Sequence, residues 1–545
     1  MRYMVIPLLV LLAGPAQAAQ NPVVNPATAC TVQGVVLRAD TGEPLRKADV
    51  EMWEEENPGQ VSDAATDSMG RFELKNLEPG RYRLSAKHNG YVRQEYGQTK
   101  PDAAGSLLTL SPGQKVTDIT IRLIPAAVIT GHIFDEDGEP VQGAQVTALF
   151  STFSNGQREL VHAGEARTND LGEYRIYGLT PGQYMVEALK QPRLLAVLKP
   201  EQGYVPIYYP GVSDATRAAP ISVRAGDEFS SADITLQTAQ TVSLRGRVIS
   251  GVGGGPGFHA QIYLVSQGTT TSGSHVVSHS FVNDPRGGFE LRGVAPGAYS
   301  LYAFLYEVGR GELARQPIEV AGTDLDGINL TLAPGVDIRG RLRVEGNLDS
   351  SVSPFQVSLS PKNIRVIFGG IPNDVVKPNG TFLLKNAFDD KYEIDVDGLP
   401  ANYFVKSARL DGLDALAAGV TIESTQTHGL LDILVSPNGA RIDGVVSKDE
   451  QPFQGASVTL VPDPPRRGEM RLFESTTTDQ LGHFVLQGIA PGDYKLFAWE
   501  NIDQEAYKSS DFLLPFENRG KSVQVTEGSL LSVQLDLIPV KESGR

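Results

Sequence analysis

The 545-residue sequence predicts an all-β protein, a tandem array of about five small β domains joined by short linkers into an elongated rod. Three observations carry this prediction. One hairpin signature recurs five times, alternating polar and apolar runs close each copy, and helical periodicity is weak nearly everywhere. The signature is a polar turn ending in Gly, an aromatic two residues later, a Pro-Gly turn, and a Tyr two residues beyond. Its copies are Gly70, Phe72, Pro79, Gly80 and Tyr82; Gly172, Tyr174, Pro181, Gly182 and Tyr184; and Gly287, Phe289, Pro296, Gly297 and Tyr299. A degenerate copy holds Gly380, Phe382 and Tyr392, and the last holds Gly482, Phe484, Pro491, Gly492 and Tyr494. The lead glycines stand 102, 115, 93 and 102 residues apart, which allots one small domain to each copy.

Taken in order, residues 1–18 read as a secretory signal: Arg2 precedes the apolar run Met4 to Leu12, and Ala16-Gln17-Ala18 offers a small-residue cleavage site. Residues 19–29 read as a linker. The units follow as 30–125, 126–238, 239–334, 335–437 and 438–540, with a tail at 541–545. In the first unit Gly34-Val35-Val36 starts a strand, Gly42-Glu43-Pro44 turns the chain, and Ala48-Asp49-Val50 starts the next strand. Gly131, Gly138-Glu139-Pro140 and Ala144-Gln145-Val146 repeat this pattern, as do Gly444-Val445-Val446, Gln451-Pro452 and Ala456-Ser457-Val458. In the hairpin, Asp67 is placed to accept from backbone amides and Gly70 to supply the positive φ that closes the turn. Phe72 and Leu74 then face the core while Arg71 and Glu73 face away. Pro79 presets φ, and Gly80 is expected in the left-handed position of a type II turn that returns Tyr82, Leu84 and Ala86 to the buried face. Runs such as Asp118 to Leu123 and Ser532 to Leu537 close a unit. The next unit opens within a few residues, so the expected rod spans roughly 150–180 Å.

Composition narrows the function classes. A formal charge of −16 with no basic stripe argues against nucleic acid or an anionic bilayer as partner. Beyond the N-terminus no apolar run approaches the roughly 18 residues a transmembrane helix needs. Cys30 is the single cysteine, so no disulfide forms within the chain. Ala27-Thr28-Ala29 lacks the usual residues before a lipidated cysteine, and Cys30 reads as a free thiol.

Motifs with catalytic or metal-binding spacing fit turn and strand chemistry better. His162 and Glu165 have zinc-ligand spacing but lie in a β unit without a third ligand. His275 and His279 sit four apart on an expected strand, about 13 Å and too far for one zinc. Asp135 to Glu139 matches the hairpin turn at Asp40 to Glu43 better than a calcium loop. Gly251 to Gly257 precedes no helix, and no nucleophile elbow or phosphate loop is present. The opening strands Thr31 to Arg38, Val128 to Phe134 and Val242 to Val248 contain no Lys for an isopeptide crosslink. The reading is therefore of no enzyme, no catalytic residues, no metal ligands and no cofactor. The candidate ligand-binding residues are Tyr204, Tyr208 and Tyr209, in a Tyr- and Pro-rich insertion of the second unit. Exposed on one face, these rings would stack on sugars or anchor a peptide; otherwise they cover an edge of their own sandwich. Tyr91 and Tyr96, and Tyr507, Phe512 and Phe516, occupy comparable segments.

The combined pattern, Gly-x-Pro and Ala-x-Val upstream with T-D-x-x-G-x-F and L-x-P-G-x-Y downstream, resembles carboxypeptidase regulatory-like domains, also described as a transthyretin-like or carbohydrate-binding-like fold. The first, second and fifth units match closely, while the third has Asn283-Asp284 and the fourth has Asp389-Asp390 in place of Pro-Gly. The resemblance implies a seven-stranded, Ig-like Greek-key β-sandwich per unit and an export-side module that carries no catalytic residues. The expected function is a non-catalytic exported scaffold or adhesion protein of the cell envelope, in the periplasm, at the surface or outside the cell. Its partner is an unidentified protein or glycan, and the alternative is a carbohydrate-binding protein using its loop aromatics.

Overall fold

In each unit the opening strand gives up one side chain, and a Gly there stands opposite an aromatic of the hairpin. The computed structural model describes residues 28–539 apart from 56–58, 101–102, 191–201, 252–258, 268–275, 308–309, 347–353, 363–369, 427 and 465. The expected signal segment, the tail, most of the Gly251 to Gly257 stretch and His275 lie outside the described residues.

In unit 1 the opening strand Cys30–Arg38 lies between Arg71–Leu77, antiparallel, and the closing strand Lys115–Leu123, parallel. The second sheet runs Val61–Ala65, Asp49–Glu54 and Gly80–Lys87, with the short strands Gln94–Glu95 and Leu108–Leu110 on the last. The other units repeat the arrangement, the opening strand always between the first hairpin strand and the closing strand. Unit 4 extends its first sheet with Phe404–Leu410 and Leu413–Asp414. Each of the five units has its own buried core.

The opening-strand glycines Gly34, Gly131, Gly246, Gly340 and Gly444 stand directly opposite Phe72, Tyr174, Phe289, Phe382 and Phe484. A Cβ on Gly444 would come within 2.5 Å of both the Phe484 ring and the Val533 carbonyl oxygen. The glycine thus admits the ring over the strand while the closing strand approaches from the other side.

The Pro-Gly turn differs from the expected type II geometry. Gly80, Gly182 and Gly492 do not have positive φ; the left-handed residue sits four positions earlier, at Asn76, Gly178, Gly293, Asn386 and Gly488. In each unit that residue coincides with a register shift against the opening strand, a β-bulge that bends the hairpin. The turn itself is closed by the tyrosine. Tyr82 Oη donates to the Glu78 carbonyl at 2.9 Å, and Tyr184, Tyr299, Tyr392 and Tyr494 make the same bond to the residue four earlier. Since the Pro-Gly glycine needs no left-handed backbone, unit 4 accommodates Asp389-Asp390 there.

A threonine joins the upstream and downstream motifs. Thr66 Oγ1 accepts from Ala48 N–H at 2.8 Å and donates to the Leu45 carbonyl at 2.6 Å, and Thr168 and Thr478 bond equivalently. Val282 and Val376 hold that place in units 3 and 4, with only the backbone bonds retained. Asn283 of the third unit is therefore an insertion and not the threonine's counterpart.

The β-sandwiches are present, but the array is not an extended rod. Unit 5 lies against both unit 1 and unit 2, so the chain of domains turns back on itself. Short linkers restrict the angle between neighbours, and that angle here brings the ends together. Calorimetry of the Gly444→Ala variant should show unit 5 destabilised by about 1–3 kcal/mol through overpacking. Gly182→Ala, whose Cβ would meet nothing closer than 3.8 Å, should stay within about 0.5 kcal/mol. Tyr494→Phe should cost about 1 kcal/mol for the lost hydrogen bond.

Candidate functional site

Tyr208, one of three candidate ligand-binding tyrosines, is buried and only 7% exposed. Its strand Ile207–Tyr208 pairs with Gly182–Leu189, and its hydroxyl donates to the Glu187 carboxylate at 2.8 Å. Tyr204 and Tyr209 are half-buried against the unit 2 core, and Tyr209 meets Phe229 edge to face at 6.2 Å. Burial pushes the Tyr204 phenol upward from its ordinary pKa. The segment therefore covers an edge of its own sandwich, and Tyr208 offers no stacking face to a ligand. Tyr91 and Tyr96 likewise pack on the unit 1 core.

The remaining motif residues are structural in their surroundings. His162 and Glu165 face solvent on the outer hairpin strand at 3.7 Å, and among the described residues no group of three potential ligands could hold a metal. His279 lies on the strand Val276–Phe281 and stacks on Tyr263. Asp135 accepts from Asp137 and Glu139 N–H, the turn chemistry expected of it. Cys30 is fully buried, its thiol donating to the Ser111 carbonyl at 3.1 Å.

What the chain does bring together is a junction of units 1, 2 and 5. The long hairpin Gln145–Ser154 and Gln157–Arg167 of unit 2 forms an arm whose tip reaches unit 5: Asn155 N–H donates to Glu505 at 2.8 Å. Phe153, 8% exposed, enters an apolar cluster with Phe473, Trp499 and Tyr507 and meets Phe512 edge to face at 6.0 Å. Trp499 in turn packs against Phe516 at 5.0 Å. Tyr507, Phe512 and Phe516 thus cover the outer face of the unit 5 sheet, and the arm seals that cover.

Unit 1 meets the hairpin turn of unit 5. Gln480 accepts from Thr109 N–H at 3.1 Å and donates to the Thr109 carbonyl at 2.9 Å, while Thr109 Oγ1 donates to Asp479 at 3.0 Å. Lys100 and Asp503 add an ion pair at 2.7 Å. Apart from Tyr507, Phe512 and Phe516, none of these junction residues stands out in the sequence. One signal was available for the arm: Ala144 and Thr168 are 24 residues apart, against 18 between Ala48 and Thr66.

The model of the carboxypeptidase regulatory-like domain matches residues 31–123 and 128–237, two tandem copies spanning units 1 and 2. No protein of curated function matches the chain. Among solved structures, the minor pilin GBS52 of Streptococcus agalactiae is 15% identical over 38% of this chain and 96% of its own, with a TM-score of 0.24. The major pilin subunit BcpA of Bacillus cereus is 11% identical over 56% and 99%, with a TM-score of 0.14. The Bacillus anthracis TIE protein is 14% identical over 56% of this chain and 51% of its own length, with a TM-score of 0.16. At these scores the likenesses carry no functional inference. Among the described residues no helix is long and apolar enough to cross a membrane.

The cover on unit 5 contains a pH-sensitive tie. Glu517, one residue from Phe516, is hydrogen-bonded by Arg467 and lies 2.9 Å from Lys495 Nζ, and its pKa is pulled down to about 2, chiefly by the Arg467 bond. The folded state holds the carboxylate more tightly than the unfolded chain does, so its contribution is complete above about pH 4.5 and disappears as pH falls toward 2. Acid titration followed by tryptophan fluorescence should show the unit 5 transition in that window. Glu517→Gln should lower stability at pH 7 and flatten the response between pH 4.5 and 2.

Proposed function

We propose that the chain is a non-catalytic exported scaffold of the cell envelope that presents surfaces to a protein partner. The observation that carries this reading is the return of unit 5 onto units 1 and 2, which fixes three domains relative to one another through packing and hydrogen bonds. The recurring residues support it. The hairpin aromatics and tyrosines are buried, and each tyrosine is hydrogen-bonded inside its own unit, so they build the fold and leave partner recognition to residues that differ between units. The match to a regulatory-like module and the signal-like pattern of residues 1–18 point to the export side of the membrane. The high acidic charge keeps such a scaffold soluble. The glycan reading through Tyr204, Tyr208 and Tyr209 is not favoured, because the Tyr208 ring is enclosed.

Small-angle scattering of residues 19–545 tests the arrangement. The closed array should give a radius of gyration under roughly 35 Å, against roughly 45–50 Å for the rod. The Phe153→Ala, Gln480→Ala double variant should move the value toward that of the rod. In-cell crosslinking with mass spectrometry should then capture the same envelope protein repeatedly, fewer times with the double variant. A chain retained in the cytoplasm would remove the reading.

A further inference from the structure

The strand Val336–Val344 that opens unit 4 alternates Ile338, Gly340 and Leu342 on its core side with Arg339, Arg341 and Arg343 on its outer side. Alternate side chains of a strand stand about 6.7 Å apart, so the three guanidiniums form a row that arginines dispersed through the sequence do not announce. On the next strand, Leu430–Ser436, Asp432 stands opposite Arg341 and also opposite Arg409 of Phe404–Leu410, which adds a fourth arginine to the face. All four are exposed.

Unit 3 shows what such an arginine takes. Arg245 and Arg339 each precede the glycine of their opening strand. Arg245 is held by three carboxylates, Glu290 at 2.8 Å, Asp324 at 2.9 Å and Asp326 at 3.3 Å. Glu290 faces it from the first hairpin strand, where Arg339 instead meets Leu383, and the closing strand brings Leu430 beside Arg339. Unit 4 has kept the arginine and lost its acids.

The acids nearby are already engaged. Arg343 takes Asp432 and Lys406 takes Glu345. Asp337, Asp411 and Asp414 accept the backbone N–H groups of Asn386, Gly429 and Leu416, and Glu469 of unit 5 is shared by Arg466 and Arg471. Lys385, exposed on the strand Thr381–Ala387, adds a further cation. Among the described residues, Arg339, Arg341 and Arg409 make no side-chain hydrogen bond or ion pair. Three exposed guanidiniums are thus left without a carboxylate in a chain of charge −16.

The apolar neighbours distinguish between anions. Leu430 is 50% exposed, and Leu383 and Leu434 are half-buried. Protein interfaces mix arginine with apolar groups, whereas leucines give nothing to a phosphate backbone. A long polyanion would also meet the repulsion of the whole chain. An extended peptide sets its alternate side chains at the same repeat as the arginine row.

We infer that this outer face of unit 4 docks an extended acidic segment of a partner protein, whose carboxylates two residues apart engage Arg339 and Arg341 while an adjacent apolar side chain rests on Leu430. The inference rests on the scaffold reading for a protein partner, yet the two fail separately: closure of units 1, 2 and 5 is read by scattering, and docking on unit 4 by binding.

The test is selection from a random dodecapeptide display library on the full exported chain. Sequences with Asp or Glu two residues apart should be enriched, and added salt should weaken their binding. They should bind Arg245→Gln, whose arginine is already neutralised, as they bind the unaltered chain. The Arg339→Gln, Arg341→Gln double variant should bind them roughly tenfold or more weakly at an unchanged melting temperature, since both side chains are exposed and unpaired. Selection on the Arg339→Glu, Arg341→Glu variant should enrich basic sequences instead. No acidic enrichment, equal binding to the double variant, an equal loss with Arg245→Gln, or acidic enrichment that survives charge reversal would overturn the proposal. Tighter binding of polygalacturonate, single-stranded DNA or phosphatidylglycerol vesicles to the same arginines would overturn it as well.

Discussion

The structure depends on the space left by one missing side chain per unit. At Gly34 a Cβ would sit 2.8 Å from the Phe72 ring and 2.4 Å from the Ile119 carbonyl oxygen; at Gly246 the Ile328 carbonyl oxygen is closer still, at 2.1 Å. At Gly34 and Gly444 the hairpin aromatic and the closing strand therefore press on the same point of the opening strand from different directions. Any side chain there would force one of them away. Moving the aromatic would open the core, and moving the closing strand would break the parallel pairing that completes the sheet. A local contact between the opening strand and the hairpin is in this way tied to a pairing made much later in the chain.

The tyrosine and the bulge act on the other end of the same hairpin. A bulge residue such as Asn76 or Gly488 adds a bend that no regular strand could make, and the tyrosine hydroxyl then satisfies a carbonyl that the bend has removed from the ladder. The arrangement resembles the corner tyrosines of other β-sandwiches, in which a phenol bonds backbone a few residues upstream. Phenylalanine would fill the same volume and leave that carbonyl bare, which is why Tyr recurs at this place while Phe and Tyr interchange at the glycine-facing position.

The hairpins were legible in the sequence because their determinants are local: a turn glycine, an aromatic two residues on, and a period of two. The bulge was hidden because its left-handed residue alternates between Gly and Asn, so no single residue type recurs, and the adjacent Pro-Gly drew the turn assignment to itself. The candidate tyrosines of unit 2 were ambiguous for a related reason. Aromatic and proline residues suit both a binding loop and the cover of a sheet edge, and only the Glu187 bond to Tyr208 and the pairing of its short strand distinguish the two. Closure of the array was not legible at all. Thr109 and Gln480 are 371 residues apart and of types found on any surface.

The closing contact shows how a tandem array acquires a definite shape from copies of one module. The turn of unit 5 carries Gln480 where units 1 and 2 carry Ser68 and Asp170. A primary amide has a donor and an acceptor set apart as they are in a peptide unit, so Gln480 pairs with both backbone groups of Thr109 as a neighbouring strand would. Serine is too short to reach both groups, and an ionised aspartate only accepts. The backbone of the turn is common to the three units, with Asp67, Asn169 and Asp479 each accepting two amides. The shared geometry makes the turn rigid, Asp479 of that shared frame takes one bond from Thr109 Oγ1, and Gln480 adds the pair of backbone bonds that the other units cannot make. The arm of unit 2 and the aromatic cover of unit 5 are likewise departures from the common module, so the copies meet largely where they have diverged.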